Sequence, residues 1–177
     1  MLSALSVGAV LLAALAKAGP GEIVPWQGIF QRVAGSRWVD RAAQVQAESG
    51  FNASAQSWIV NKQGVRVPCA YGPAQFTPPT WKIWGKPPTA DPHDPNYALP
   101  AQNNYMGWLE PRAGGNDQGL AGYNWGLGNV LKVQRRVSAL GEPGANAWVK
   151  YCPAETQGYL VHNHTNQARI RALGGKP

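Results

Sequence analysis

The chain has 177 residues, which suits one domain with a hydrophobic core and is short for two. Apolar residues make up 44% of it, as in ordinary globular proteins, so the composition excludes a wholly disordered chain. The formal net charge of +7 favours a polyanionic partner such as nucleic acid, an anionic membrane or an acidic bacterial wall. The longest basic cluster is only Lys132, Arg135 and Arg136, and the sequence has no zinc-finger, P-loop or GxGxxG pattern. We therefore expect no specific nucleic-acid binding.

The first 16 residues form an apolar run that contains only Leu, Ala, Val, Gly and Ser besides Met1. The run is short for a membrane span, which needs about 20 residues, and it is similar to the apolar region of a signal peptide. Ala16-Lys17-Ala18 offers a cleavage site, but no Lys or Arg precedes the run. We expect residues 1–18 to form a retained apolar helix that acts as an anchor or packs against a partner, with cleavage as the alternative. Gly19-Pro20-Gly21 ends this helix.

A single folded domain is predicted for residues 26–177. Ser36 can cap a helix over residues 37–49, and Gly50 is suited to end it. Glu48 then lies in the last turn of this helix, beside the loop that follows.

The rest of the chain predicts one hairpin and several helices. Thr-Pro and Asp-Pro pairs provide an N-cap followed by proline in the first turn of two of these helices. The elements are, in order, a hairpin of residues 58–60 and 65–67, and helices over 77–83, 94–109, a short stretch ending at 123, 129–140, and from 153 into the 160s. They predict a mainly α domain with minimal β structure and long irregular connections, which in compact domains are usually functional.

Four separated stretches carry the residues of chemical interest. They are, in chain order, Glu48-Ser49-Gly50-Phe51-Asn52, Gly72-Pro73-Ala74-Gln75-Phe76-Thr77-Pro78-Pro79-Thr80, Leu120-Ala121-Gly122-Tyr123-Asn124-Trp125-Gly126, and Pro153-Ala154-Glu155-Thr156-Gln157-Gly158-Tyr159-Leu160. Together they resemble the catalytic domain of soluble lytic transglycosylases. That family has a Glu-Ser pair, a Gly-x-x-Gln motif ending in Pro-x-Thr, an Ala-Tyr-Asn-x-Gly motif and a late Glu-Thr-x-x-Tyr. The resemblance covers roughly residues 36–165 and implies a lysozyme-like fold.

The resemblance implies that Glu48 is the single catalytic acid and base of a peptidoglycan lytic transglycosylase. Glu48 would protonate the glycosidic oxygen between N-acetylmuramic acid (MurNAc) and N-acetylglucosamine (GlcNAc). It would then accept the proton of the muramyl C6 hydroxyl, whose oxygen closes a 1,6-anhydro ring. No water is consumed, so one carboxylate suffices where ordinary glycosidases need two. Neither a cofactor nor a metal is expected.

Six further residues are implied to bind the glycan strand of peptidoglycan. Tyr159 would also hold the orientation of Glu48, and Glu155 is interpreted as a cap of the last helix. Phe51, Tyr123 and Trp125 could form apolar walls that help Glu48 to stay protonated. The binding set is Ser49, Gln75, Phe76, Tyr123, Asn124 and Tyr159.

Three residues at two places depart from the family pattern. This chain has Pro73-Ala74 where the family usually has Leu-Met, and Gly122 where the family has Ala. At both places it is the backbone that lines the site, so the departures affect the fit of the substrate more than the fold.

Two other functions stay open. The first is a lysozyme-type hydrolase that acts on the same bond with water and a second carboxylate. Asp91, Asp94 and Asp117 are available for that role, and Asp117 is the main candidate because Asp94 is suited to cap a helix. The second is a non-catalytic structural component that binds the wall.

The cysteines and histidines leave further alternatives open. Cys69 and Cys152 could form one disulfide or remain separate thiols. The three histidines, His93, His162 and His164, lack a metal-binding partner set and are expected at the surface or at helix caps.

The setting is predicted to be the bacterial periplasm or cell envelope, or a phage virion that opens the wall locally during genome entry. The predicted partners are the glycan strand, other virion proteins, and a membrane through residues 1–17.

Overall fold

The computed structural model describes residues 18–176, so the predicted apolar helix of residues 1–18 lies, except for Ala18, outside the described residues. A π-helical segment covers Gly122–Gly126, and short 3-10 turns cover Gly35–Arg37 and Val149–Tyr151. The helices are α1 (Gln27–Ala34), α2 (Trp38–Ser49), α3 (Pro78–Trp84), α4 (Pro95–Ala113), α5 (Asn116–Ala121), α6 (Leu127–Ala139) and α7 (Ala154–Ala172), and the strands are β1 (Gln56–Val60) and β2 (Arg66–Tyr71). The predicted mainly α class with minimal β structure is confirmed. No helix between residues 18 and 176 is both long and apolar enough to cross a membrane.

Helix α2 carries Glu48, and its two ends differ in how closely they follow the prediction. Gly50 ends the helix in the left-handed conformation at φ 61° and ψ 35°, as expected from its lack of a side chain. The predicted cap by Ser36 is wrong, because Ser36 lies inside the 3-10 turn that leads into the helix and Arg37 occupies the capping position without a side-chain cap. Asp40 in the first turn accepts a hydrogen bond from Arg37 Nε at 2.6 Å.

The chain forms two compact units. Among the described residues, one unit holds residues 18–103 together with residues 166–176, and the other holds Asn104–Thr165. Helices α4 and α7 each contribute residues to both units. The single domain proposed for residues 26–177 stays a prediction.

In the first unit, buried amides hold α2 in place. Gln102 Nε2 on α4 donates to Gln44 Oε1 at 2.8 Å and to the carbonyl of Arg41 at 3.2 Å. Asn166 Nδ2 on α7 donates to the carbonyl of Ala43 at 3.2 Å. Breaking one of these bonds would leave a buried donor unpaired, so the bonds help to hold the helix that carries Glu48.

The hairpin of β1 and β2 is longer than predicted and contains a bulge. Ser57 pairs with Ala70 and Trp58 pairs with Pro68, which leaves Cys69 as an extra residue on β2. Beyond β2, Tyr71 and Phe76 form an antiparallel bridge with backbone hydrogen bonds of 3.0 Å in both directions. The bridge closes the loop of residues 72–75, with which the second motif begins.

In the second unit, α5, the π-helical segment and α6 follow one another closely. Gln134 Nε2 donates to the carbonyl of Ala113 at 2.6 Å and so ties α6 to the end of α4. At Gly122 a Cβ would lie 3.3 Å from Leu109 Cδ2, so glycine permits a close approach of these two segments.

Candidate active site

Glu48 lies in the last turn of α2 and is half-buried. The next residue, Ser49, donates a hydrogen bond from its hydroxyl to the carbonyl of Val45 at 3.2 Å and accepts one from the Asn52 amide at 3.2 Å. These bonds, with the left-handed Gly50, turn the chain sharply directly after Glu48. Glu48 is therefore carried on a helix end that local hydrogen bonds fix, and the residue as a whole is partly exposed.

An aromatic cluster forms the segment that follows this turn. Phe51 has a positive φ of 57° and only 1% of its surface is exposed. Its ring lies 6.1 Å from that of Trp26 and 6.4 Å from that of Phe30, edge to face in both cases. The strained backbone at Phe51 is thus stabilised by ring packing, and a residue with φ above zero is typical of loops under functional constraint.

Gln75, the central residue of the second motif, is held at both ends of its side-chain amide. Its Nε2 donates to the carbonyl of Gly72 at 2.8 Å, and its Oε1 accepts a hydrogen bond from Ser57 Oγ at 2.6 Å. Gln75 itself has a positive φ of 49°. The amide is half-buried, so it keeps one open side while its orientation is fixed.

Gly72 explains why the second motif begins with glycine. Its φ is 74°, and a Cβ at this position would lie 1.9 Å from the carbonyl oxygen of Pro92. No residue with a side chain fits there without moving the backbone of the Pro92 loop.

Phe76 is 1% exposed, and its ring packs against that of Trp81 with centroids 5.3 Å apart. It also borders a groove of about 440 Å³ whose other walls include Tyr71 and Trp81, with Lys82 and His93 as polar groups. The predicted contact of Phe76 with substrate stays a prediction, and the structure adds a packing role beneath the Gln75 loop.

Tyr123 and Asn124 lie in the π-helical segment of the second unit. π-Helical turns are rare and occur often at functional sites, because they displace side chains from the regular helical positions. Asn124 Oδ1 accepts a hydrogen bond from Thr156 Oγ1 at 2.8 Å, so the third motif is bonded to the fourth. The Tyr123 ring lies 5.1 Å from that of Tyr105, and burial raises the pKa of the Tyr105 phenol.

Tyr159 lies on α7 and is 8% exposed. Its carbonyl accepts a hydrogen bond from Asn163 Nδ2 at 2.9 Å. Thr156 stands three residues earlier on the same helix, so Thr156 and Tyr159 lie on one face. The fourth motif therefore presents a bonded hydroxyl and a largely buried ring side by side.

The seven predicted site residues fall in both units. Sequence reasoning missed two positioning residues, Ser57 and Thr156. Thr156 belongs to the fourth motif, which could have drawn attention to it, whereas Ser57 lies outside every motif and is brought to Gln75 only by the register of the hairpin. The first unit holds Glu48, Ser49, Gln75 and Phe76, and the second holds Tyr123, Asn124 and Tyr159.

The three aspartates considered as second carboxylates all take part in local bonds. Asp94 accepts from the Asn96 amide at 2.8 Å, as its predicted capping role requires, and Asp91 accepts from the His93 amide at 2.9 Å. Asp117 Oδ1 lies 2.8 Å from His164 Nε2, within the second unit. Each aspartate thus has a structural role.

The histidines do not form a metal site. Among residues 18–176, no group of three or more His, Cys, Asp or Glu side chains is placed to hold a metal ion. His162 and His164 are exposed, as predicted. His93 is half-buried, and its Nδ1 lies 2.9 Å from the carbonyl oxygen of Ala53, so it links two loops of the first unit.

Cys69 and Cys152 are both free thiols in this structure, and a disulfide between them stays a prediction. Cys152 is buried, and its Sγ lies 3.8 Å from the carbonyl oxygen of Trp148. Burial raises the pKa of the Cys152 thiol. Cys69 is the half-buried extra residue of the β2 bulge.

Comparison with known proteins finds a family match over the part of the chain that contains the first three motifs. Residues 41–143 match the model of the family described as the transglycosylase SLT domain. The fold is similar to the crystal structure of the 70 kDa soluble lytic transglycosylase Slt70 from Escherichia coli, with a TM-score of 0.68 and 23% sequence identity over 86% of this chain. The alignment covers 25% of Slt70, so the chain spans about a quarter of that protein. A comparison of this chain with curated proteins found no match. The predicted lysozyme-like fold is thereby confirmed, and the chain belongs to the transglycosylase SLT domain family.

Proposed function

We propose that this chain is a lytic transglycosylase that cleaves the MurNAc-β-1,4-GlcNAc bond of peptidoglycan and leaves 1,6-anhydro-MurNAc ends. The observation that carries the proposal is the half-buried Glu48 at the end of α2, inside the stretch that matches the SLT family. Slt70, whose fold is similar, is itself named as a soluble lytic transglycosylase.

In this proposal Glu48 acts first as an acid and then as a base. Its proton goes to the glycosidic oxygen as the bond from that oxygen to the muramyl C1 breaks. The carboxylate then accepts the proton of the muramyl C6 hydroxyl while the C6 oxygen bonds to C1. The proton count of Glu48 is unchanged at the end, and no water enters the product.

The surroundings of Glu48 suit this cycle. A general acid must carry its proton before the reaction, and reduced contact with water favours the protonated form of a carboxyl group. Partial burial also leaves room for a sugar oxygen to approach. Gln102 and Asn166 hold α2 by hydrogen bonds. The helix should therefore keep the Glu48 carboxyl group in one position during both steps.

The six other predicted residues are proposed to bind the strand. Gln75 is the best supported of the six, because its fixed amide keeps an open side for an N-acetyl or hydroxyl group. Asn124 keeps its Nδ2 for the same purpose while its Oδ1 is bonded to Thr156. Ser49, Phe76, Tyr123 and Tyr159 complete the proposed set.

Hydrolysis of the same bond is the alternative chemistry. It needs a second carboxylate to activate water, and the contact between Asp117 and His164 gives the main candidate a structural role instead. Asp117→Asn should therefore keep most of the activity.

We also propose that the enzyme opens the wall locally, in the periplasm or from a phage virion.

The direct test is turnover of purified murein by Glu48→Gln beside Glu155→Gln. Glu155 is an exposed carboxylate in the first turn of α7, so its substitution controls for the loss of a negative charge. We expect Glu48→Gln to lower the rate by roughly 100-fold to 10,000-fold, as for removal of a general acid, and Glu155→Gln to remain near wild type. Equal rates for Glu48→Gln and the wild type would overturn the proposal, and a wild type without turnover would favour a wall-binding component.

A further inference from the structure

The hairpin tip, defined here as residues 58–66, exposes a concentrated set of apolar side chains. Trp58 is 44% exposed, Ile59 54%, Val60 69% and Val65 54%. All five residues of β1 are exposed, and successive side chains of a strand point to opposite faces, so both faces of the tip meet solvent. Exposed apolar side chains gathered in this way mark an interaction surface more often than scattered ones do.

The charged side chains of the tip have one sign. They are Lys62 and Arg66, and the sequence has no Asp or Glu between residues 49 and 90. The Arg66 guanidinium lies over the Trp58 ring at 5.2 Å from its centroid. The tip therefore combines aliphatic side chains, one indole and two cations without a compensating acid.

The turn of the hairpin satisfies its own backbone. The Asn61 amide donates to the Val65 carbonyl at 2.8 Å, and the Gly64 amide donates to the Asn61 carbonyl at 3.0 Å. The Asn61 side-chain oxygen accepts from the amides of Gln63 and Val65 at 3.0 Å and 2.9 Å. Such a turn can enter a poorly hydrated environment without leaving these amide groups unpaired.

We infer that the hairpin tip inserts into the headgroup region of an anionic phospholipid membrane. Indole rings and cationic side chains favour the boundary between headgroups and acyl chains, and Ile59, Val60 and Val65 gain from contact with lipid. A hydroxyl-rich glycan offers little to these three β-branched aliphatic side chains. A symmetric second copy would bring Lys62 and Arg66 against like charges, which disfavours it.

The test is sedimentation of the full-length protein with phospholipid vesicles. Vesicles of phosphatidylglycerol mixed with phosphatidylcholine are compared with vesicles of phosphatidylcholine alone. The apolar variant is Ile59→Ser/Val60→Ser/Val65→Ser. Its matched control is Leu140→Ser/Val161→Ser/Leu173→Ser, which removes three side chains that are 56%, 61% and 42% exposed elsewhere.

We expect the apolar variant to partition at least about tenfold more weakly than the wild type and the control to remain unchanged. A second variant, Lys62→Gln/Arg66→Gln, should lower partition about 30-fold on the anionic vesicles and leave binding to neutral vesicles unaffected. Its control is Lys82→Gln/Lys86→Gln. Glu48→Gln should sediment as the wild type does, so this test is separate from the proposed function.

Three outcomes would overturn the inference. In the first, both tip variants sediment like the wild type, which would assign any membrane binding to another part of the chain. In the second, the tip variants keep vesicle binding but lose binding to purified murein, which would identify a glycan surface. In the third, they lose only a concentration-dependent dimer in analytical ultracentrifugation, which would identify a contact between copies.

Discussion

The Thr156 hydroxyl donates a hydrogen bond to Asn124 Oδ1 at 2.8 Å and thereby fixes which way the Asn124 amide points. Thr156 is 1% exposed, so water does not readily replace this bond. The bond joins two sequence motifs that are 32 residues apart and leaves the Asn124 Nδ2 as the group available to a ligand.

Thr156→Val removes this hydroxyl while keeping the shape of the side chain. We expect a loss of about 1 kcal/mol in the free energy of unfolding, the usual value for one hydrogen bond, and a higher KM for murein fragments. Thr156→Ser keeps the hydroxyl and serves as the control in thermal unfolding and kinetic measurements. An unchanged KM in Thr156→Val would show that Asn124 needs no such orientation.

Gly72→Ala tests whether the second motif depends on the close approach of the Pro92 carbonyl. Gly64 offers a matched control, because its φ of 77° is close to the 74° of Gly72 but no atom lies within 4 Å of a Cβ built there. Gly64→Ala should cost about 1 kcal/mol from the left-handed backbone alone. Gly72→Ala should cost about 3 kcal/mol or more, because it adds a backbone clash. Equal losses in denaturant unfolding would mean that the loop relaxes freely.

The two thiols should differ in reactivity. Burial lowers the access of reagents to Cys152 and raises the pKa of its thiol, so less of the reactive thiolate is present near neutral pH. We expect native protein treated with iodoacetamide to be modified at Cys69 well before Cys152, as followed by peptide mass spectrometry. In denaturant the two rates should become similar. A mass two hydrogens lower before reduction would instead reveal a disulfide.

Glu142 is expected to give the second unit a pH-dependent stability. Its carboxylate contacts Lys150 Nζ at 2.7 Å and accepts a hydrogen bond from the Tyr151 hydroxyl. Two hydrogen bonds lower the pKa of Glu142 below its ordinary value of 4.5. The bond from Lys150 has the larger effect and the bond from Tyr151 the next. A lowered folded-state pKa stabilises the fold above the pKa of the unfolded chain, and the gain disappears as pH falls through the folded pKa.

The difference in Tm between the wild type and Glu142→Gln should therefore be present at neutral pH and vanish in acid below the ordinary carboxyl range. At high pH the same contacts act through Lys150, whose pKa is raised, chiefly by its hydrogen bond to Glu142. That contribution is present at neutral pH and is lost as pH rises through the raised pKa. A difference in Tm that stays constant from acid to neutral pH would contradict this account.

Much of the fold was predictable because several helix ends are encoded locally. Thr77 accepts a hydrogen bond from the Thr80 amide at 3.4 Å, as expected for a cap followed by proline, and Gly50 ends α2 in the expected conformation. Helix α1 was missed because it lacks such signals. It begins after Trp26, which has a left-handed backbone and no side-chain cap.

The candidate site was predictable as a set of residues and less so as a geometry. The π-helical turn at Tyr123 and Asn124 widens a helix by one residue, and no apolar spacing of period 3.6 encodes that. The bond between Ser57 and Gln75 depends on a hairpin register with one bulged residue, which sequence pattern alone does not fix. Family motifs identify the groups, whereas tertiary contacts decide how each group is held.

The most direct measurement is the mass of the ends that the wild-type enzyme leaves on purified murein, with Glu48→Gln as the matched variant. If Glu48 alone moves a proton out and back while the muramyl C6 oxygen attacks, the wild type leaves 1,6-anhydro ends, one water lighter than reducing ends. Glu48→Gln then leaves essentially none. Reducing ends from the wild type, or anhydro ends formed at the wild-type rate by Glu48→Gln, would contradict the account.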